Sequence, residues 1–233
     1  MKKKFFIIIN LLAFAIGVNG QQIENGGFEL SKKTMYTGIL MSYTGTQKDN
    51  VASTFENVIY SKDNSTSVKI GGGYFILNNF AVGIGLSIGF DNTEKEINNT
   101  IGTNTVSKLN SNTFGFTPFV RNYLSLGSKK RFYLFNQTGI IFSKSKGDET
   151  STTGNNTIES TISKNALGIS ISPGVLIFVD DGFAFEVNIP IGGVNYSKET
   201  KSSTNLPDAV IKQSNVDLNI NILRMNLGFS YYF

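Results

Sequence analysis

Four ionisable residues stand where strand alternation otherwise places Gly, Ala and Ser: Lys69, Arg121, Glu186 and Arg224. A charge on a face destined for a narrow interior is costly unless it is paired, so the chemistry open to this set is ion pairing. Arg121 and Glu186 each lie about four residues from a neighbouring turn, at similar depth, and are expected to face one another. Such a pair either switches a narrow pore or serves as a static polar core, and a confined interior favours the static core. Other chemistries find little footing. The 233 residues include no His and no Cys, which removes the commonest general base, the usual metal ligand, thiolate chemistry and disulfides. Asp91, Glu94, Glu96, Asp148 and Glu149 lack the spacing of a calcium loop, and Gly71-Gly72-Gly73 sits inside a strand with no helix after it, unlike a phosphate cradle. No catalytic, cofactor-binding or metal-ligating residue is expected, and the chain reads as non-enzymatic.

The elements that position these residues are strands. Apolar side chains recur at every second position near 35–43, 67–76, 81–90, 113–124, 166–178, 183–196 and 216–233, and a strand near 131–143 completes eight. Near 81–90, Val82, Ile84, Leu86, Ile88 and Phe90 alternate with Ala81, Gly83, Gly85, Ser87 and Gly89; the bulky set forms one continuous face and the small set the other. The small face suits a cramped interior and the bulky face an apolar surrounding. Phe132-Tyr133-Leu134-Phe135 is apolar on both faces, so its register stays open. Three connections are short (77–80, 125–130 and 179–182), with Asn79, Gly127 and Gly182 suited to positive φ. The intervening ones read as loops of about 20 residues rich in Ser, Thr, Asn and Lys, such as 91–112 and 145–165. Short turns alternating with long loops are the pattern of an all-β, antiparallel, up-and-down transmembrane barrel of eight strands. Pro118, Pro173 and Pro190 fall within these strands and call for bulges or strand ends.

The ends agree. Lys2, Lys3 and Lys4 precede an apolar run from Phe5 to Val18, and Val18-Asn19-Gly20 offers a cleavage site, so 1–20 reads as a signal peptide and 21–233 as the barrel domain. Without those lysines, 18 basic residues face 17 acidic ones, a balance that gives no support for nucleic-acid binding. Counting back from Phe233, residues Tyr231, Phe229, Leu227 and Met225 share one face, and Tyr232, Ser230, Gly228, Asn226 and Arg224 the other. A closing strand that finishes on an aromatic residue is expected to be read by the barrel-insertion machinery through Phe229, Tyr231 and Phe233. The expected surroundings are outer-membrane lipid, reached by export through the periplasm.

Gly71-Gly72-Gly73-Tyr74-Phe75 with Asn79-Phe80-Ala81-Val82-Gly83, Pro118-Phe119-Val120-Arg121-Asn122-Tyr123, and Pro173-Gly174-Val175 leading into Asp180-Asp181-Gly182-Phe183-Ala184 resemble hairpins of the small porin-like outer-membrane barrels of Bacteroidetes, an OmpA/OmpX-like architecture. The resemblance spans essentially the whole mature chain. It implies fold and cell-outer-membrane location rather than an activity, and OmpA-like barrels carry a comparable inner set of charges. Asn122 departs from it, since the family more often has an aromatic residue there. With no Trp, an aromatic girdle must come from Phe and Tyr, such as Phe75, Phe80, Tyr123, Phe132 and Tyr231; Tyr123 also appears among the lumen-filling residues Phe119, Tyr123, Arg121 and Arg224. The functional expectation is a structural or surface-interaction barrel whose long loops meet an extracellular ligand or partner, with a narrow porin-like channel as the alternative.

Overall fold

The computed structural model describes residues 28–52, 57–98, 104–204, 207–218 and 225–233. The signal peptide expected at 1–20 and Arg224 lie outside the described residues. Ten strands follow one another: β1 (Met35–Ala52), β2 (Asn57–Leu77), β3 (Phe80–Asn98), β4 (Asn104–Leu126), β5 (Phe132–Thr153), β6 (Asn156–Asp180), β7 (Phe183–Asn188), β8 (Gly192–Ser203), β9 (Ala209–Leu218) and β10 (Asn226–Tyr232). All pairings are antiparallel. The sheet runs from β1 through β6 to β7 and β10, and β10 returns to β1 between Tyr36↔Tyr232 and Met41↔Leu227. β6 pairs with β7 from Gly174 to Asp180 and with β8 from Ile171 to Ser160, so β7 and β8 are two halves of one stave. β9 pairs with β8 just as β10 pairs with β7, which gives eight staves in an up-and-down ring.

Three corrections to the sequence reading have physical causes. The polar stretches expected as 20-residue loops are mostly strand: 145–165, for instance, finishes β5, turns at Gly154 and Asn155, and starts β6. Ser and Thr look like loop residues, yet on paired strands their hydroxyls bond sideways, as in Ser42–Ser67 at 2.7 Å, Thr113–Ser145 at 2.7 Å and Ser160–Ser203 at 2.7 Å. The strand expected at 183–196 is split into β7 and β8, and the one expected at 216–233 covers the end of β9 and all of β10, with 219–224 outside the described residues. Finally, Phe75 and Tyr123 are buried inside rather than placed in an outer girdle, while Phe80, Phe132 and Tyr231 take outward positions.

The prolines sit at junctions. Pro190 lies between β7 and β8; Ile189 and Ile191 on either side donate to the carbonyls of Pro173 and Ile171 at 3.0 Å each. Pro173 lies where β6 exchanges β7 for β8 as partner, and beside Pro118 the β4–β5 ladder is interrupted between Phe116↔Phe142 and Phe119↔Gly139. Each thus falls where a ladder hydrogen bond is already absent.

Outward side chains Ile84, Leu86, Phe90, Phe114, Phe116, Phe142, Leu167 and Ile169 are 42–62% exposed, so the bulky face points away from the lumen. The open register in β5 is settled: Tyr133 and Phe135 turn in, and Phe132 and Leu134 turn out. On β3 the outward apolar positions run from Phe80 to Phe90. Ten rises amount to about 33 Å along a strand, or about 25 Å of height at a tilt of about 40°. Beyond that belt the staves continue as polar hairpins; on β5 they extend from Lys144 to Thr153, roughly 30 Å along the strand.

The inner face is small in the middle and aromatic at the turn end. Tyr36, Phe75, Phe119, Tyr123, Tyr133, Phe135, Phe178 and Tyr232 form a buried layer with Phe28 and Leu30 of the segment before β1. Phe28 stacks on Phe178 at 5.0 Å, and its carbonyl accepts from the Tyr133 hydroxyl at 2.8 Å; the Leu30 carbonyl accepts from Asn79 at 2.9 Å. Glycines make room for the rings: a Cβ at Gly83 or Gly174 would collide with the ring of Phe119 or Phe135.

At the turn end, Asn79, Gly127 and Gly182 all adopt positive φ. A Cβ at Gly182 (φ 72°) would strike the Tyr232 carbonyl, whereas one at Gly127 (φ 85°) would meet nothing within 4 Å. In urea titrations of the folded barrel, G127A is expected to lose about 1 kcal/mol of stability and G182A about 2 kcal/mol or more. Equal losses would show that the carbonyl contact does not matter.

Candidate functional site

The polar groups of the lumen lie directly above the aromatic layer. Arg121 projects inward from β4 because its parity matches that of Phe119 and Tyr123; Glu186 projects from β7 with Ala184 and Asn188. Arg121 Nη1 lies 3.0 Å from Glu186 Oε2, and both side chains are almost fully buried. Arg121 also donates through Nε to Gln137 Oε1 at 3.0 Å, through Nη2 to the same oxygen at 2.5 Å, and through Nη1 to the Tyr123 hydroxyl at 3.5 Å. The Phe135 ring lies 4.4 Å from the guanidinium carbon, with Tyr36 at 5.3 Å and Phe119 at 5.5 Å. A planar, weakly hydrated cation suits this mixture of donors and rings better than an ammonium would.

The network continues across the barrel. Glu186 Oε1 accepts from Asn188 at 3.5 Å, Asn188 Oδ1 accepts from Asn226 at 2.6 Å, and Asn226 Oδ1 receives Lys69 Nζ at 3.5 Å. The Tyr123 and Tyr232 hydroxyls, 3.2 Å apart, tie the Arg121 end to the aromatic layer. Lys69 (β2), Arg121 (β4) and Glu186 (β7) therefore belong to one inner layer; Arg224 is outside the described residues. Gln137, Asn188, Asn226 and Tyr232 complete the layer, and the sequence reading had not singled them out as part of it. Their inward parity was readable in the sequence, but neutral side chains carry no cost that would draw attention to them.

Above this layer lies a cavity of about 290 Å³ bounded by Lys69, Ser87, Thr117, Gln137, Ser172 and Glu186. Three hydroxyls, one amide and two charges among these residues can hold water or a small polar solute there. Among the described residues, no group of three or more His, Cys, Asp or Glu comes together.

Phe229, Tyr231 and Phe233 occupy the outer face of the closing strand. Phe229 stacks on Phe183 at 5.5 Å, Tyr231 on Phe233 at 6.1 Å, and Phe233 exchanges backbone hydrogen bonds with Met35 at 2.8 and 2.9 Å.

Truncating one member of a buried ion pair strands the other charge. R121M is expected to cost about 3–5 kcal/mol of stability, with E186Q milder because an amide still accepts from Arg121, and R121M/E186M is expected to recover a substantial part of the loss. Urea unfolding of all three variants in lipid vesicles provides the check; strictly additive losses would mean that the two charges are not coupled.

No protein-family model matches the chain, and no curated protein does either. Among solved structures it is similar to the outer membrane protein OprG from Pseudomonas aeruginosa (12% identity, 90% of this chain and 99% of that one, TM-score 0.48). It is similar to the translocator domain of the autotransporter NalP from Neisseria meningitidis (10%, 100% and 96%, TM-score 0.43) and to a major outer membrane protein from Thermus thermophilus (12%, 86% and 99%, TM-score 0.44).

Proposed function

We propose that this chain is a non-enzymatic integral outer-membrane barrel with a closed lumen and a structural or surface-interaction role, presenting its polar hairpins outside the cell. The outward apolar belt of about 25 Å matches the apolar band of such barrels. The short turns and the closing strand's end lie at one mouth, assigned here to the periplasm; export by the segment 1–20 belongs to the same reading. The observation that carries it is the aromatic layer, with Phe28 and Leu30, across that mouth. A narrow porin-like channel would start from the cavity above Arg121, yet opening the Arg121–Glu186 pair leaves that layer in place beneath it. The absence of His and Cys from the sequence supports a role without catalysis. Planar-bilayer recording of the purified barrel is expected to give absent or rare, small conductance steps. Sustained large channels would reject the closed lumen.

The same reading assigns Phe229, Tyr231 and Phe233 to recognition by the barrel-insertion machinery. Because the Phe233 backbone also pairs with Met35, the side chain and the backbone have to be separated. F233A keeps the backbone and is expected to accumulate in the periplasm, as is a chain lacking residue 233. Normal insertion of F233A, measured by heat-modifiable migration of outer-membrane fractions, would assign the terminus to barrel closure alone.

A further inference from the structure

Where the apolar belt ends on the hairpin side, the eight staves differ in charge. The first outward residue beyond the belt is Gly45 on β1, Thr66 on β2, Asn92 on β3 and Asn112 on β4, all neutral. On β5 it is Lys144, followed two residues later by Lys146; on β6 it is Asn165 and on β8 Lys198; on β9 it is Ser214, with Lys212 at the next outward position. The pairing register sets three of these lysines in one continuous cross-strand row, Lys144↔Asn165↔Lys198↔Lys212. All four lysines are exposed, and among the described residues none of them is in an ion pair. The nearest outward carboxylate along β5, Asp148, lies two residues beyond Lys146 and accepts from the Thr161 hydroxyl at 3.3 Å.

Like charges directly opposite on neighbouring strands repel, and Lys198 and Lys212 are such a pair. An anion bridging them removes that cost. Just below the row, the next outward positions are Phe142 on β5, Leu167 on β6, Tyr196 on β8 and Ser214 on β9, with Phe116 6.3 Å from Phe142. A ligand that fits both rows has a phosphate at the level of the lysines and apolar chains running down the belt. Resting on the membrane-spanning reading above, we propose that this arc binds the phosphorylated headgroup of an outer-leaflet lipid, so that one side of the barrel gathers anionic lipid and the β1–β4 side does not. Phosphate oxygens accept charge-assisted hydrogen bonds from the lysine Nζ groups, while the acyl chains cover Phe142 and Leu167.

The test uses the full barrel refolded into phosphatidylcholine nanodiscs carrying a minor fraction of bis-phosphorylated lipid A or the same lipid with its phosphates removed. Lipid retained on the barrel is counted by native mass spectrometry, after heat-modifiable migration has verified insertion. The parent is expected to prefer the phosphorylated lipid by about tenfold or more, K144Q/K198Q/K212Q to lose that preference, and K48Q/K62Q/K129Q, altered at exposed lysines away from the arc, to keep it. Equal preference in the parent and the arc variant, or equal loss in the control variant, overturns the proposal. So does lysine-dependent binding of millimolar inorganic phosphate without lipid selectivity, which would make the arc a free-anion site. Failure of the parent to insert at all rejects the membrane-spanning reading itself, whereas insertion without lipid selectivity rejects this inference alone.

Discussion

Eight staves closed on themselves enclose little more than the width of a few side chains, and every inward position answers to that narrowness. In the middle of the barrel it is met with Gly, Ser and Thr. At the turn end it is met the other way, by rings that fill the bore and glycines such as Gly83 and Gly174 that give those rings space. The charged layer is possible because it lies between these two regimes. Arg121 reaches Glu186 across the lumen without stretching, and the aromatic layer beneath shields the pair from one mouth. In a wider ring the same residues would be separated by water and the pair would lose most of its strength.

The belt and the lumen are two products of one alternation, and this ties the position of the barrel in a membrane to its interior. The rows that place Ile84 and Leu86 outside place Gly83 and Gly85 inside. Above the belt the alternation persists while the chemistry changes. Hydroxyl pairs such as Ser160–Ser203 and ion pairs such as Lys108–Glu94 at 2.8 Å hold the hairpins as ordered sheet beyond the apolar zone. Lys201 of β8 also pairs with Glu149 of β5 inside this upper section, joining staves that are not neighbours. Surface groups of this kind contribute little singly, so it is the backbone ladder that carries the extension.

The barrel itself was legible in the sequence because its apolar alternation is strong and its short turns carry Asn79, Gly127 and Gly182. The hairpin extensions were not, because Ser, Thr, Asn and Lys serve equally in loops and in paired polar strands; what separates the two is the partner strand, which no local pattern reveals. The inner positions of Lys69, Arg121 and Glu186 followed from parity, whereas the aromatic layer was read only in part. Phe119 and Tyr123 could be counted inward, but Phe75 was assigned outward by composition even though Gly73 and Gly71, two and four residues before it, mark the inner face. Phe28 and Leu30 precede any alternating run and become meaningful only once the mouth they cover exists.

Pro190 sets what amounts to a reading frame for side chains. Before it, even-numbered residues Ala184, Glu186 and Asn188 face the lumen; after it, odd-numbered Gly193, Asn195 and Ser197 do. The displaced residue therefore decides the sign of everything above it on that stave: Lys198 faces out and Glu199 in because the frame changes at residues 189–191. Were residues 188–192 drawn into an unbroken ladder with β6, the composition of β8 would be untouched but its faces exchanged, giving the outer rim a carboxylate in place of an ammonium.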